Sequence, residues 1–504
     1  MMQFVYLTTP KILSIIMSNV YVKISGGGFV KRIKIGILTF SDGRPNVNAE
    51  LSQLNEKFQD TFINTLESTG EIEFVSKPKV VWKPSIAKEE AIEIRNAGAE
   101  ITIFNYAVWA FPHFSVIASK FAPGPFLLFG NINPKYPGMV GMLAAAGALD
   151  QSGTTHTRLW GDITKRETLN KVLEYIRAAH AFNSLKGQRY GIIGGRPMGM
   201  YTTVPNVDLW NTIFGIDIEH IDQMEIVRLS DEVSDSKAQK ALEWLQKRVK
   251  KIHYDGKQLT PEKLKKQIKS YYAVKEIIEE NELDFAGIKS QPELTNNFVT
   301  MDVTEAFMND PYDWDGPHEP FVVATEADSD GALTMQILKY VSNSPVLFAD
   351  VRHYDAEDNF FDLCNSGAHA TFFAGRSYTP EENLKNVEFY PEGFYFPAGG
   401  ASVRHIAAPG RVTIARLARK NGKYWMTIIP AEFLDFGEEK NEIKAVATQV
   451  EWPHAFAKLE VKPEEFLSTY DSNHCHAVYG DHVDELKHFC EIAGIDYKVY
   501  KEGK

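Results

Sequence analysis

From Arg32 onward the sequence alternates short β-branched runs with amphipathic stretches, and this alternation restricts the fold more than any other feature. The run "IKIGILTF" (33–40) leads into Asn46–Ser68, where Leu51, Leu54, Phe58, Phe62 and Leu66 recur at helical spacing. Strand-like runs return at 71–76, 100–104 and 125–130, each separated by a helical segment. Such alternation belongs to a parallel sheet with helices on both faces, because parallel neighbours need a crossover and the crossover is usually a helix. A helix at 165–184 and the break "SLKGQRYG" (184–191) close this first unit. A second opens with "RYGIIGG" (189–195), passes through charged helical stretches near 234–251 and 261–281, and reaches the strands "FAGIKS" (285–290), "PFVVAT" (320–325) and "PVLFAD" (345–350). Beyond about residue 365 β-branched and aromatic runs predominate. There "RLARKNGKYWMTIIP" sets Asn421-Gly422 between two strand-like arms, a strong hairpin signal. The stretch "DHVDELKHFCEIAG" (481–494) reads as a closing helix. The expected fold is therefore two doubly wound α/β domains with parallel sheets (32–184 and 185–342), then a β-rich C-terminal domain (343–504), behind an extension of residues 1–31.

Composition sets the functional boundaries. The net charge of −12 is spread along the chain with no basic block to track a phosphate backbone, which argues against nucleic-acid binding. Three scattered cysteines, Cys364, Cys475 and Cys490, fit a reducing, cytoplasmic setting and leave no disulfide framework or CxxC zinc motif. The first 32 residues are broken by Pro10, Lys11, Ser14 and Asn19, too short and polar to span a bilayer and without a clear signal-peptide core. Two readings of this stretch stand side by side: a real extension, or a translated leader whose "GGGFVKR" reflects a ribosome-binding site ahead of a Val30 start.

The densest acidic cluster lies in "EPFVVATEADSDGALTMQIL" (319–338), where Glu326, Asp328 and Asp330 follow a buried-looking strand. Ligands of open α/β sheets sit beyond the carboxyl ends of strands, and Glu326 and Asp350 both follow apolar runs. Their separation of 24 residues fits strand–helix–strand, so adjacent parallel strands are expected to bring them together. Two close carboxylates repel unless a cation or a shared proton compensates, and hard oxygens suit Mg²⁺ or Mn²⁺. Asp328, Ser329 and Asp330 read instead as cap and first-turn residues of the following helix. An EF-hand is excluded, since the twelfth loop position is Ile337 rather than Glu. The glycines of "GIIGGRPMG" (191–199) do not give GxGxxG, so no dinucleotide site is expected. Near the C-terminus, "DSNHCHAVYGDH" (471–482) holds His474, His476, Asp481 and His482. One histidine completing a Glu/Asp site is the economical reading, with Asp481 the N-cap of the last helix and His482 in its first turn.

The segment "WDGPHEPFVVATEADSDGALTMQIL…VLFADVRHY", together with "SNH" near the C-terminus, resembles the L-fucose isomerase family, relatives of L-arabinose isomerase. The likeness runs from about Arg32 onward and is most specific at "EPFVVATE", "FADVR" and "NH". It implies aldose–ketose isomerisation with a divalent metal, usually Mn²⁺, with Co²⁺ or Mg²⁺ as substitutes. It assigns the metal ligands as Glu326, Asp350 and His474, with Glu326 and Asp350 also catalytic. It implies substrate contacts from Gln291 in "KSQPEL", Asn473 beside His474, Met198 in "PMG", Arg44 in Asp42-Gly43-Arg44, and Trp109 in "NYAVWAF", which in the family reaches into a neighbouring subunit. It also implies a homo-oligomer, hexameric or trimer-based, a sugar substrate, and no membrane partner. One departure is evident: a substrate-contacting family tyrosine aligns with Ala401 in "AGGASVRH".

The implied chemistry is the movement of a carbonyl from C1 to C2 through an enediol, with fucose-type aldoses (L-fucose, D-arabinose) as expected substrates. A 6-substituted hexose such as a sulfo sugar, its acidic group read by Arg404 or His405, is the alternative within enzymes. A sugar-binding protein without catalysis is the alternative outside them.

Overall fold

The computed structural model describes residues 21–23, 29–366 and 369–501. The expectation for residues 1–29 lies outside them, apart from Tyr21–Lys23 and Phe29. The chain divides into two compact units, one ending at Asn183 and the other spanning Ser184–Lys504. Among the described residues no helix is long and apolar enough to cross a membrane.

In the first unit β1 (Tyr21–Lys23) and β2 (Phe29–Lys31) form an antiparallel pair. Strands β3 (Ile33–Phe40), β4 (Ile72–Phe74), β5 (Ile101–Tyr106), β6 (Phe126–Asn131) and β7 (Thr157–Gly161) form a parallel sheet of order β4-β3-β5-β6-β7. This is the doubly wound arrangement that the alternation demands. The helix Pro45–Glu67 starts with proline in its first turn, where the missing N–H costs nothing. It buries Asn55, Gln59, Phe62 and Leu66, while Leu51, Leu54 and Phe58 of the expected apolar stripe are only half-buried. Polar side chains enter the core here because they are satisfied: Asn55 Nδ2 donates to Ser41 Oγ (3.0 Å) and Gln59 Nε2 to the carbonyl of Pro78 (2.9 Å).

The second unit holds three larger sheets. Strands β8 (Arg189–Ile193) and β9 (Asp217–Ile221) come first, then β10 (Lys251–Ile252) and β11 (Phe285–Ile288). A short ribbon, β12 (Tyr312–Asp313) with β13 (Gly316–Pro317), precedes β14 (Val323–Thr325). The parallel sheet has order β14-β11-β8-β9. Next come β15 (Leu347–Asp355), β16 (Phe360–Cys364), β17 (Glu388–Pro391) and β18 (Ala401–Arg404), the last two joining β10 in a mixed sheet. Strands β19 (Gly410–Lys420), β20 (Lys423–Phe433), β21 (His454–Leu459), β22 (His474–Tyr479) and β23 (Asp496–Val499) complete the chain.

The β-rich part is a seven-stranded sheet of order β19-β22-β15-β16-β21-β20-β23. Because β19 also pairs with β20 along its whole length, six of these strands close on themselves, with β23 appended to β20. The closing hairpin turns at Asn421 (φ 53°) and Gly422 (φ 78°), the two positive φ values of a type I′ turn. One set of alternate residues fills a common core: Leu347 and Ala349, Phe361 and Leu363, Ala455 and Ala457, Ile429 and Ala431, Val412 and Ile414, Cys475 and Ala477.

The last helix is Val483–Ala493, and its N-cap is His482 rather than Asp481. Asp481 sits one residue earlier and accepts the Val483 N–H at a long 3.4 Å.

Candidate active site

Strand β14 ends at Thr325, and the next two residues leave it in an unusual conformation. Glu326 (φ 57°) and Ala327 (φ 44°) are consecutive non-glycine residues in the left-handed region, each a cost of about 1–3 kcal/mol. Backbone bonds hold them there: Ala327 N–H donates to Ile288 O (2.8 Å), Asp328 N–H to Thr325 O (3.1 Å) and Ser329 N–H to Thr203 O (3.1 Å). The helix Ser329–Ser342 then begins, with Asp328 as its N-cap accepting from Gly331 N–H at 3.0 Å. This buried helix packs on β11 and β14 along one side and on β19 and β22 along the other. The strained turn therefore delivers Glu326 and Asp328 from the parallel sheet to the outer face of the closed sheet.

On that face His474 opens β22 directly opposite Asp350 of β15. Its Nε2 lies 3.1 Å from Glu326 Oε2 and 3.4 Å from Asp350 Oδ1, while Nδ1 lies 2.7 Å from Asp328 Oδ2. Asp350 is steadied by Asn365 Nδ2 (2.9 Å) and Asn473 Nδ2 (3.1 Å). Glu326 and Asp350 thus meet from two different sheets, not from adjacent parallel strands as the spacing suggested. The long helix between them carries the chain from one sheet to the other.

Behind His474 stands a buried cation. Arg416 of β19 forks onto Asp328, with Nη2 3.0 Å from Oδ1 and Nη1 on Oδ2, and Nη1 also reaches His476 Nε2 at 3.1 Å. Asp330 is held separately, by Arg419 Nε (2.9 Å) and the Tyr424 hydroxyl (2.8 Å). Burial would raise the Asp328 carboxyl, yet Arg416 and His474 hold it well below the usual carboxylate range. Burial likewise opposes charge on His474, but the converging carboxylates of Asp328, Glu326 and Asp350 lift it to about 10. Burial raises Asp350, with Glu326 adding to the effect and His474 and the two asparagines opposing it.

This donor set fits a hard divalent ion. An imidazole that bonds a carboxylate through Nδ1 presents Nε2 outward, the usual orientation of a metal-binding histidine. Here Nε2 is buried and makes no hydrogen bond among the described residues, its nearest neighbour being Glu326 Oε2 at 3.1 Å. Its distances to the two carboxylates are close to the roughly 3 Å that separates neighbouring donors at about 2.1 Å around one octahedral ion. The side chains do not stand as a finished cage, and among the described residues no group of three or more His, Cys, Asp or Glu does.

The other expected positions fall differently. Met198 is exposed at φ 42° on the loop after β8, and Gln291 is half-buried after β11. Arg44 and Trp109 belong to the first unit, where the exposed Arg44 forks onto Asp42 (2.9 and 2.6 Å) and Trp109 is half-buried. Ala401 is fully buried in the hydrophobic core of the second unit, its N–H donating to Gln267 Oε1 (2.7 Å). Arg404 is already paired with Glu442 (2.6 Å), and burial pushes His405 down to about 3, so it is neutral. Sequence reasoning missed Arg416, Asn365 and the second role of Asp328. An arginine inside the otherwise apolar run "VTIARLA" was the available signal for Arg416.

Comparison with known proteins closes the question of family. Residues 32–187 match the family model described as L-fucose isomerase, first N-terminal domain. Residues 188–283 and 274–343 match the second N-terminal domain, and residues 363–501 the C-terminal domain. Among curated relatives, an L-fucose isomerase of Streptococcus pneumoniae strain P1031 is 25% identical across 90% of this chain and 90% of its own length. That of the serotype 4 strain TIGR4 is 26% identical over the same shares. With all three domains matched in order along nearly its whole length, the chain belongs to the L-fucose isomerase family, a family of aldose–ketose isomerases.

Proposed function

We propose that this protein is a divalent-metal-dependent isomerase of the fucose type, interconverting an aldose such as L-fucose or D-arabinose with its ketose through an enediol. Glu326, Asp350 and His474 would hold the ion, Mn²⁺ first and Co²⁺ or Mg²⁺ as substitutes. The observation that carries this reading is the His474 ring, fixed through Nδ1 by Asp328 and presenting a bare Nε2 to two carboxylates. When bound, the ion supplies Lewis acidity toward the oxygens on C1 and C2.

The chain's own residues do the rest. Glu326 and Asp350 approach from different sheets, so one carboxylate takes the proton from one carbon while the other serves the neighbouring carbon and oxygen. General acid–base catalysis of this kind contributes about 10²–10⁴-fold. Asn365 and Asn473 keep Asp350 in place, and Arg416 offsets the charge of Asp328 so that the acid can remain buried beneath His474. Gln291, Asn473, Met198, Arg44 and Trp109 are the proposed sugar contacts, Trp109 from a neighbouring subunit. A hexameric or trimer-based homo-oligomer, working in the cytoplasm, fits the exposed Ile132, Met139, Val140, Leu143 and Trp160 of the first unit. The pairing of Arg404 with Glu442 and the neutrality of His405 do not favour a sulfo sugar.

The test is an aldose panel assayed after exhaustive chelation and again with Mn²⁺ restored. Turnover of a fucose-type aldose that disappears with the metal and returns with it is expected. Full activity after chelation would sink the metal mechanism.

A further inference from the structure

A row of side chains crosses the outer face of the closed sheet. His474 stands opposite Asp350, Asp350 opposite Cys364, and Cys364 opposite His454, on four successive strands. Directly opposed residues in antiparallel strands share a face, and neighbouring strands lie about 4.8 Å apart. His454 therefore stands about 10 Å from Asp350 across this face. There the main chain of His405 accepts a hydrogen bond from His454 N–H at 2.9 Å. His454 itself is fully engaged, by Asp362 at 3.0 Å on Nδ1 and by Gln449 O at 2.8 Å on Nε2.

Its neighbours are not. His405, 2% exposed, donates from Nδ1 to Val403 O (3.2 Å), and its Nε2 has no partner. His369, 0% exposed, has no partner on either ring nitrogen among the described residues, and its ring centre lies 5.8 Å from that of His405. Asn365, which grips Asp350 through Nδ2, has an unpartnered Oδ1. Buried polar atoms are almost always satisfied by protein, water or ligand, so such a concentration beside a candidate active site calls for an occupant. Burial lowers the pKa of both histidines, so each is a neutral imidazole carrying one donor and one acceptor. That combination matches a hydroxyl and does not match an anion.

We infer that His369 and His405, with Asn365 at its inner edge, form a subsite that binds the terminal hydroxyl of an aldose whose C1 and C2 lie at Glu326 and Asp350. The inference rests on the isomerase reading and adds a substrate class to it: sugars with a free hydroxyl at the end remote from the carbonyl. The reach to His454, which borders the subsite, agrees: five C–C bonds and one C–O bond in zigzag, about 1.25 Å of extension each, plus a hydrogen bond of about 2.8 Å, extend about 10 Å.

L-Galactose and L-fucose differ only in the hydroxyl on C6, so they are the probes, assayed with Mn²⁺ on the full-length protein. Wild type is expected to turn over L-galactose with a kcat/KM at least equal to that for L-fucose. In His405→Phe and His369→Phe the ratio of the two constants should fall about tenfold or more, with little change in Tm, because a site built to bond a hydroxyl loses that discrimination when its partner is removed. His405→Gln, which keeps a donor and an acceptor, should largely preserve the ratio. An unchanged ratio in the phenylalanine variants overturns the subsite and leaves the ring nitrogens to internal water. So does a wild type that prefers the 6-deoxy sugar by more than about tenfold, a measurement that does not depend on either variant folding. Turnover of neither sugar, nor of any other aldose, would instead overturn the isomerase reading on which the subsite rests.

Discussion

The two sides of the closed sheet are made from the same strands yet obey different rules. Inward-facing Leu347, Ala349, Leu363, Ala455, Cys475 and Ala477 pack into one apolar core. One residue along each strand, the outer face carries Asp350, Cys364, His454 and His474; the two histidines are buried just as deeply and Asp350 partly so, and these three are held by ion pairs and hydrogen bonds. The inner set contributes stability through area removed from water. The outer set spends part of that stability on keeping charges in one place, and its unpartnered atoms mark where something else is meant to bind. On β15, β16, β21 and β22 the core and the candidate site are separated by the two-residue period of a strand rather than by distance along the chain.

The strongest attempt to break this division is to neutralise the outer carboxylates. Glu326→Gln and Asp350→Asn should each lower turnover by about two orders of magnitude or more, without loss of fold, as measured by kcat with Mn²⁺ and by circular dichroism. If either variant retained more than about a tenth of wild-type turnover, its assigned role would be wrong. The complementary change is on the inner face. Leu363→Ala should cost about 2–5 kcal/mol in chemical denaturation while turnover per folded molecule stays unchanged; a selective loss of turnover would show that the faces are coupled. The finest distinction concerns Asp328, which touches no substrate in this scheme. Asp328→Asn should weaken Mn²⁺ binding by about 10–100-fold in isothermal titration calorimetry, because the imidazole loses the carboxylate that orients it. Unaltered affinity would mean that the His474 ring needs no such support.

Several elements of this organisation were legible in the sequence. The β/α alternation announced the parallel sheets, and Asn421-Gly422 announced the hairpin, because both signals are local. The cap position of Asp328 was legible for the same reason. What lay hidden was the partner of its other oxygen: the bond to His474 closes 146 residues of chain, and nothing in a local pattern encodes that pairing. The same holds for Glu326 and Asp350, whose spacing suggested one sheet although they come from two. Period-two alternation tells which residues share a face but not which strand lies opposite. The closure of β19 onto both β20 and β22 was invisible on those grounds too, and with it the reason for an arginine at 416.

The Asn421-Gly422 turn has a bearing on how this family can drift. It fixes the register of β19 against β20, so that Arg416 faces Thr427 across the ladder, and β19 in turn pairs with β22 near His476. Because side chains alternate with a period of two, sliding β19 by a single residue would exchange its two faces and withdraw the guanidinium from Asp328. Length changes at this solvent-side turn are thus constrained by parity. A one-residue insertion that shifts the register of β19 reaches the buried acid, whereas one absorbed as a bulge on β20 leaves it untouched.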